Sequence, residues 1–210
     1  MPAPRFTTFL LLAVLSSALS ACVAATLYDT AATLATAPRE ERSVGDQLND
    51  VAIKTDLNAR LLQGENEVFT NVSTTVLEGR VYIRGKVASE EACDEAVRIA
   101  WRTPGVKEVH NDILVAEAAS LETAADDTWL SSKIRYALLD RAGVKEANYT
   151  VATQDGVVYL MGIAQDRTER ELALATARTV EGVIDVVDYV VLKDDPRRAG
   201  QMAEAAPGTS

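Results

Sequence analysis

Two octapeptides decide the fold of this chain: Glu78-Gly-Arg-Val-Tyr-Ile-Arg-Gly at 78–85 and Asp155-Gly-Val-Val-Tyr-Leu-Met-Gly at 155–162. Each begins with an acidic residue and a glycine, continues through an apolar run, and ends at a second glycine. An acid–glycine pair between two alternating segments is typical of a two-residue β-hairpin turn, because its backbone needs positive φ. Each octapeptide therefore predicts a hairpin turn, centred on Gly79 or Gly156, and the strand that follows it.

The similarity extends far beyond the octapeptides. A shift of 77 residues aligns the chain with itself without a gap. The shift matches glycines with glycines and helical leucines with leucines: Gly79 with Gly156, Gly85 with Gly162, Gly105 with Gly182, and Leu61-Leu62 with Leu138-Leu139. Self-similarity at a fixed period is the signature of a duplicated structural unit. The sequence therefore contains one module twice.

Both copies predict the same order of elements. An amphipathic helix, with apolar residues at i, i+4 and i+8, is followed by two strands joined at the hairpin turn, a second helix and a last strand. The predicted fold class is α+β, with two tandem α-β-β-α-β modules, each packing two helices on one face of a three-stranded sheet. The modules are predicted at 43–116 and 126–194, with a linker at 117–125. Gly85 and Gly162 are expected to mark a close approach between the strand backbone and a helix.

The first 22 residues predict export and an anchor. Arg5 precedes an apolar run over 6–19 that ends in small residues, which is typical of a signal peptide, here 1–21. The tetrapeptide at 19–22, Leu-Ser-Ala-Cys, resembles a bacterial lipobox, and this resemblance implies diacylglycerol and palmitate-type acyl chains on Cys22. The alternative is an ordinary signal peptide that ends near a cysteine. Residues 22–42 are predicted to be a flexible tether, and residues 195–210 a disordered tail.

The composition excludes several classes of function. The formal net charge of −10 argues against nucleic acid, whose binding requires clustered cations. Motifs of serine hydrolases, zinc proteases and P-loop enzymes are absent, so no catalytic residue is predicted. The single histidine, His110, has no ligand constellation beside it in the sequence. We therefore expect neither an enzyme nor a bound metal or cofactor.

The two octapeptides, together with Pro-Gly-Val at 104–106 and Glu-Gly-Val at 181–183, resemble the BON domain. Two such domains behind a lipobox are similar to the dual-BON outer-membrane lipoproteins. Asp-Thr-Trp at 127–129 belongs to the strongest part of the match. Val23 after the lipidated cysteine also fits outer-membrane sorting. This resemblance implies a lipid-anchored protein on the periplasmic face of the outer membrane that supports envelope integrity.

The first helices of the two copies differ on their outward positions. In the second copy four residues are predicted to face outward at helical spacing: Trp129, Lys133, Tyr136 and Asp140. Leu139 lies at the flank, and Arg135 is a second cation. In the first copy the residues at the matching outward positions are small, polar or acidic: Ala52, Asp56, Ala59 and Gln63. Tryptophan and tyrosine favour the membrane interface, and a cation near an anionic leaflet contributes about 1 kcal/mol. The first helix of the second copy is therefore predicted to bind lipid.

The resemblance indicates the same function, because it implies that the second BON domain binds anionic phospholipids, such as phosphatidylglycerol or cardiolipin. It implies that role for Trp129 and Leu139, whereas Lys133, Arg135 and Tyr136 are included on geometry. An alternative is that the Trp129 helix docks a periplasmic protein or the sister module, since exposed apolar patches also mark protein contacts. Protein partners are not identified by the sequence. A third reading is a free periplasmic protein without an anchor.

Overall fold

The computed structural model describes residues 41–63, 69, 71–116 and 121–198. The predicted signal peptide, Cys22 and most of the predicted tether lie outside these residues, as do residues 199–210 of the predicted tail. Within the described ranges, no helix combines the length and apolar character needed to cross a membrane.

The first module has the predicted order of elements. Helix α1 (Val44–Gln63) precedes strands β1 (Val72–Leu77) and β2 (Arg80–Val87), helix α2 (Glu90–Arg102) and strand β3 (Glu108–Val115). Strand β2 is central, antiparallel to β1 and parallel to β3. Helix α2 is the crossover between the two parallel strands, as such a connection requires.

The second module repeats this arrangement. Helix α3 (Leu121–Asp140) and a short 3-10 turn (Glu146–Asn148) precede strands β4 (Tyr149–Gln154) and β5 (Val157–Ala164), helix α4 (Arg167–Arg178) and strand β6 (Asp185–Leu192). The strand register is the same in both copies: Val81 pairs with Val109, and Val158 pairs with Val186. The predicted α+β modules are confirmed. Helix α3 begins at Leu121, within the predicted linker, so the folded second module begins earlier than predicted.

Each module has its own apolar core between its helices and its sheet. Helix α1 contributes Ile53, Leu57 and Leu61, and helix α3 contributes their counterparts Leu130, Ile134 and Leu138. The second helix of each module presents alanines to this core: Ala96 and Ala100 in α2, Ala173 and Ala177 in α4. These small side chains let the helix lie close to the sheet, and all four alanines are inaccessible to solvent.

The opposite faces of the two sheets pack against each other. Residues that alternate with the core residues along the strands form a third cluster, which includes Leu77, Tyr82, Ala152, Tyr159 and Met161. The modules therefore form four layers: helices, sheet, sheet, helices. The sequence analysis did not predict this contact.

Aromatic and polar contacts align the two sheets. The rings of Tyr82 and His110 are stacked, with centroids 4.7 Å apart, and Tyr189 of the second module lies tilted against both. The Tyr189 hydroxyl donates to the Asp112 carboxylate at 3.0 Å. Burial lowers the pKa of His110 and raises that of Asp112. His110 is therefore part of the contact between modules.

Two segments predicted to be flexible are ordered where they meet the modules. Arg198 is only 7% exposed, and its guanidinium donates to the Glu78 carboxylate at 2.8 Å and to the Glu41 carbonyl at 3.2 Å. Glu41 also pairs with Lys193 at 2.9 Å. A buried charge requires a partner of opposite sign, and this ion pair fixes the chain at 195–198. The predicted tail and the predicted tether therefore both extend too far: residues 195–198 and 41–42 belong to the folded unit.

The glycines of the octapeptides have two different functions. Glu78 and Gly79, like Asp155 and Gly156, all have positive φ, between 50° and 77°, which confirms the predicted two-residue hairpin turns. Gly85 has a φ of 139°, and a Cβ there would overlap the Asn71 carbonyl and lie 2.9 Å from Val72 Cα. Gly162 has the same environment at the start of β4. The close approach is therefore to the neighbouring strand, and the prediction that it involves a helix was wrong.

Alanine at Gly85 or at Gly162 is expected to destabilise the protein by at least about 2 kcal/mol, because it adds backbone strain and overlap that the strand pair cannot relieve. The free energy of unfolding in urea measures this. Gly45→Ala is the matched control, since a Cβ there would lie 3.6 Å from Ser43 Oγ, which is an ordinary contact. Equal unfolding free energies for all three variants would contradict this assignment.

Candidate functional site

A carboxylate from helix α3 holds the hairpin turn of the second module. The backbone N–H groups of Asp155 and Gly156 donate to the two Asp127 carboxylate oxygens at 2.8 and 3.0 Å. Asp50 of α1 accepts the corresponding pair in the first module at 2.8 and 2.9 Å. Hydrogen bonds to a carboxylate are stronger than neutral ones. Each module therefore fixes its first helix to its hairpin, and we call this contact the turn clamp.

The loop before β6 joins the clamped turn. The N–H of Ile184 donates to the Gly156 carbonyl at 2.9 Å. The ammonium group of Lys133, on α3, donates to the Glu181 carbonyl at 2.7 Å. Helix α3, the turn and the loop are therefore linked in a closed set of contacts. A cleft between them is lined by residues that include Trp129, Lys133, Gly156 and Ile184.

Large apolar side chains project from this edge into solvent. The exposed fractions are 67% for Trp129, 72% for Tyr136, 68% for Leu139 and 77% for Ile184. Lys133 lies one helical turn from Trp129 and adds a cation. We call these five residues the α3 ridge. A monomeric protein seldom leaves several such side chains together in water without a binding function. The structure thus brings Trp129 and Lys133 together with Ile184 around one cleft, and it leaves Tyr136 and Leu139 exposed further along α3.

Arg135 is not part of the α3 ridge. It lies about 120° around the helix from Trp129 but only one helical turn from Leu139. Its guanidinium donates to the Val151 carbonyl at 3.2 Å, so it faces strand β4. Its charge grouped it with the predicted lipid-binding residues, whereas this hydrogen bond directs it to a different surface.

Ile184 was missed by the sequence analysis. Its counterpart in the first module is Lys107, whose N–H makes the same bond to the Gly79 carbonyl at 2.9 Å. The backbone is therefore repeated while the side chain changes from a cation to an exposed aliphatic group. The self-alignment contained this signal, but the comparison was restricted to the first helix of each copy.

Comparison with known proteins gives the family. The model of the BON domain matches residues 49–117 and again residues 126–194. The chain belongs to the BON-domain family. It is 38% identical to an uncharacterized protein in the gshII 5′ region of Anaplasma centrale, over 72% of this chain and 99% of that protein.

Two further relatives have descriptive names. The osmotically-inducible protein Y of Escherichia coli strain K12 is 32% identical over 68% of this chain and 72% of its own length. The outer membrane lipoprotein DolP of Haemophilus influenzae is 28% identical over 82% of this chain and 90% of its own length. The tandem arrangement of BON domains is thus confirmed over most of the chain.

The first BON domain also exposes apolar side chains on its first helix, but they are aliphatic: Leu48, Val51 and Leu62. Its one exposed tryptophan, Trp101, is on α2 and is 54% exposed. Both copies therefore expose apolar side chains on the first helix, and they differ in that only the second copy exposes aromatic ones. The sequence comparison described only the matched outward positions.

Trp129 is absent from the cluster of buried residues between the two sheets. The BON domains meet through their strands, and the indole of Trp129 faces solvent instead. Among the residues that the structure describes, no group of three or more His, Cys, Asp or Glu side chains is arranged to hold a metal ion. The α3 ridge is thus a surface suited to contact, formed by apolar groups beside one ammonium.

Asp127→Ala is expected to lower the stability of the second BON domain by about 1–3 kcal/mol, because two turn N–H groups lose their acceptor. Hydrogen exchange of the Asp155 and Gly156 amides should accelerate in the same variant. Asp126→Ala is the matched control, since it removes an equal charge from an exposed neighbouring position. Unchanged exchange at both amides in the Asp127 variant would show that the clamp does not hold the turn.

Proposed function

We propose that this protein is a non-enzymatic lipoprotein of the cell envelope whose second BON domain binds anionic phospholipid through the α3 ridge. In this proposal a lipid on Cys22 anchors the chain to the periplasmic face of the outer membrane, and lipid contact supports envelope integrity. The supporting observation is the exposure of Trp129, Tyr136 and Leu139 on α3 and of Ile184, which lines one cleft with Trp129 and Lys133.

The energetics favour contact with an interface. Full burial of a large apolar side chain contributes about 1.5–3 kcal/mol, so partial insertion of four such groups yields a useful attraction. Trp129 and Tyr136 each combine an apolar ring with a polar group, which suits the headgroup region. An anchored chain needs little additional affinity, because tethering gives the ridge a high effective concentration at the membrane.

The overall negative charge opposes this contact only at a distance. The net charge of −10 repels an anionic surface, but a Debye length of about 8 Å at physiological salt screens charges remote from the ridge. Lys133 is the cation of the ridge itself. We therefore expect binding to require both apolar insertion and the local electrostatic attraction.

The proposed location is supported by the lipobox-like sequence at 19–22 and by the relative named as an outer membrane lipoprotein, which aligns with 82% of this chain. Cys22→Ala is expected to move the protein from the membrane fraction to the soluble periplasmic fraction, because the attachment site for diacylglycerol is lost. Fractionation of cells expressing each form measures this. Recovery of both forms in the soluble fraction would exclude the anchor and favour a free periplasmic protein.

Liposome flotation tests lipid binding without the anchor. The chain from residue 23 onward should float with vesicles containing phosphatidylglycerol or cardiolipin, and it should not float with neutral phosphatidylcholine vesicles. Trp129→Glu should reduce the bound fraction at least about tenfold, since it replaces an inserting ring by a repelled carboxylate. Ala52→Glu places the same charge on the exposed matching position of the first BON domain, and it should leave flotation unchanged.

Ile184→Lys distinguishes the contribution of apolar insertion to binding from that of electrostatic attraction, because it removes an apolar group and adds a cation. It restores the residue type of the first copy, and we expect weaker flotation. Stronger flotation would mean that charge alone drives binding. Absence of flotation for the unaltered chain at every lipid composition would contradict the proposed lipid contact. The α3 ridge would then be assigned to a periplasmic protein partner.

A further inference from the structure

A groove runs between the two BON domains along strands β1 and β4, each of which is the edge strand of its sheet. It consists of two adjoining clefts, of about 510 and 690 Å³. The clefts share residues from both domains: Ser73, Arg84, Arg135, Val151 and Ala152. We call this the junction groove. It is separate from the α3 ridge, because none of the five residues of the ridge lines either cleft.

The junction groove is positively charged in a negatively charged protein. The described residues around its larger cleft include four cations and no carboxylate: Arg42, Lys54, Arg84 and Arg135. The smaller cleft adds Lys86 together with Asp127 and Asp155. Asp155 pairs with the Lys86 ammonium at 2.8 Å, and Arg42 pairs with Asp50 at 3.4 Å. The charges that remain are those of Lys54, Arg84 and Arg135 against Asp127. The groove therefore retains an excess of positive charge.

The two shared arginines have neutral hydrogen-bond partners. The Arg84 guanidinium donates to Thr75 Oγ1 at 3.4 Å, and that of Arg135 donates to the Val151 carbonyl. Among the described residues, neither arginine forms an ion pair with a carboxylate. Arg84 is half-buried, and burial lowers its pKa, although a guanidinium stays protonated in a protein. The carboxylates of Asp112 and Asp127 attract the Arg84 guanidinium from beyond ion-pair distance and offset only part of this effect of burial. A bound anion would offset the rest of the desolvation cost.

The other polar groups that line the junction groove indicate which class of anion could bind there. Hydroxyl groups of Ser73, Thr75, Ser131 and Thr153 surround the arginines. The two guanidinium groups and the hydroxyl groups can donate more hydrogen bonds than the two oxygens of a carboxylate can accept. A phosphate has more acceptor oxygens and can accept more of them. We propose that the junction groove binds the phosphate group of a phosphate ester, with Arg84 and Arg135 on opposite domains as its principal donors. This site is independent of the proposed lipid contact of the α3 ridge.

The test uses residues 23–210, with inorganic phosphate and dihexanoyl phosphatidylglycerol below its micelle concentration as probes. Calorimetry should show saturable binding at one site, and backbone amide shifts should move at Thr75 and Val151. Arg84→Gln and Arg135→Gln should each weaken binding about tenfold or more, as expected for the loss of a charge-assisted bond. Arg135 is exposed, so its variant tests binding without loss of folding. Arg141→Gln, an exposed cation outside the groove, is the control.

The two probes distinguish the sources of the phosphate. Tighter binding of the phosphatidylglycerol assigns the groove to a lipid headgroup, and equal or tighter binding of inorganic phosphate assigns it to a soluble ligand. Either result supports an anion site. The proposal is overturned if neither probe saturates up to about 10 mM, or if binding survives both arginine substitutions. The proposal is also overturned if Trp129→Glu alone abolishes binding, because the probes would then bind at the α3 ridge. That result would not contradict the function proposed for the ridge.

Discussion

The carboxylate of Asp127, bonded to the N–H groups of Asp155 and Gly156, is the contact on which the functional surface depends. It fixes helix α3 against the tip of the hairpin. The Gly156 carbonyl then holds Ile184, and Lys133 closes the arrangement from the helix to the loop. The relative positions of the indole, the ammonium and the isoleucine side chain follow from these contacts. The side chains of Trp129 and Ile184 project into solvent, whereas that of Lys133 also holds the loop.

The duplication separates what folding requires from what binding requires. Asp50 repeats the turn clamp, and Lys107 repeats the backbone bond of Ile184. The copies keep these contacts while the exposed residues change, with Trp129 replacing Ala52 and Ile184 replacing Lys107. Because the sheets pack against each other, both first helices lie on outer layers. The second BON domain can therefore present its ridge to a membrane while the first retains a shared sheet interface.

The sequence predicted the modules because their signals are local. The spacing of Leu130, Ile134 and Leu138 reports a helix, and the acid–glycine pairs report turns, without knowledge of distant residues. The contact between sheets left no such signal, since Tyr82 and Met161 alternate with core residues as in any strand buried on both faces. The ion pair of Arg198 with Glu78 joins residues 120 positions apart and could not be inferred from spacing. Helical spacing places Arg135 one turn from Leu139, so its hydrogen bond to the Val151 carbonyl of β4 could not be inferred from spacing either.

Fluorescence of Trp129 gives the most direct test of membrane contact by the ridge. The chain has two tryptophans, so Trp101→Phe leaves Trp129 as the only indole. With vesicles containing phosphatidylglycerol, its emission should shift to shorter wavelength and be quenched by nitroxide-labelled lipid, while phosphatidylcholine vesicles should have no effect. In the reciprocal Trp129→Phe chain, the emission of Trp101 should not change. An unshifted, unquenched Trp129, or a shift of Trp101 instead, would contradict the account.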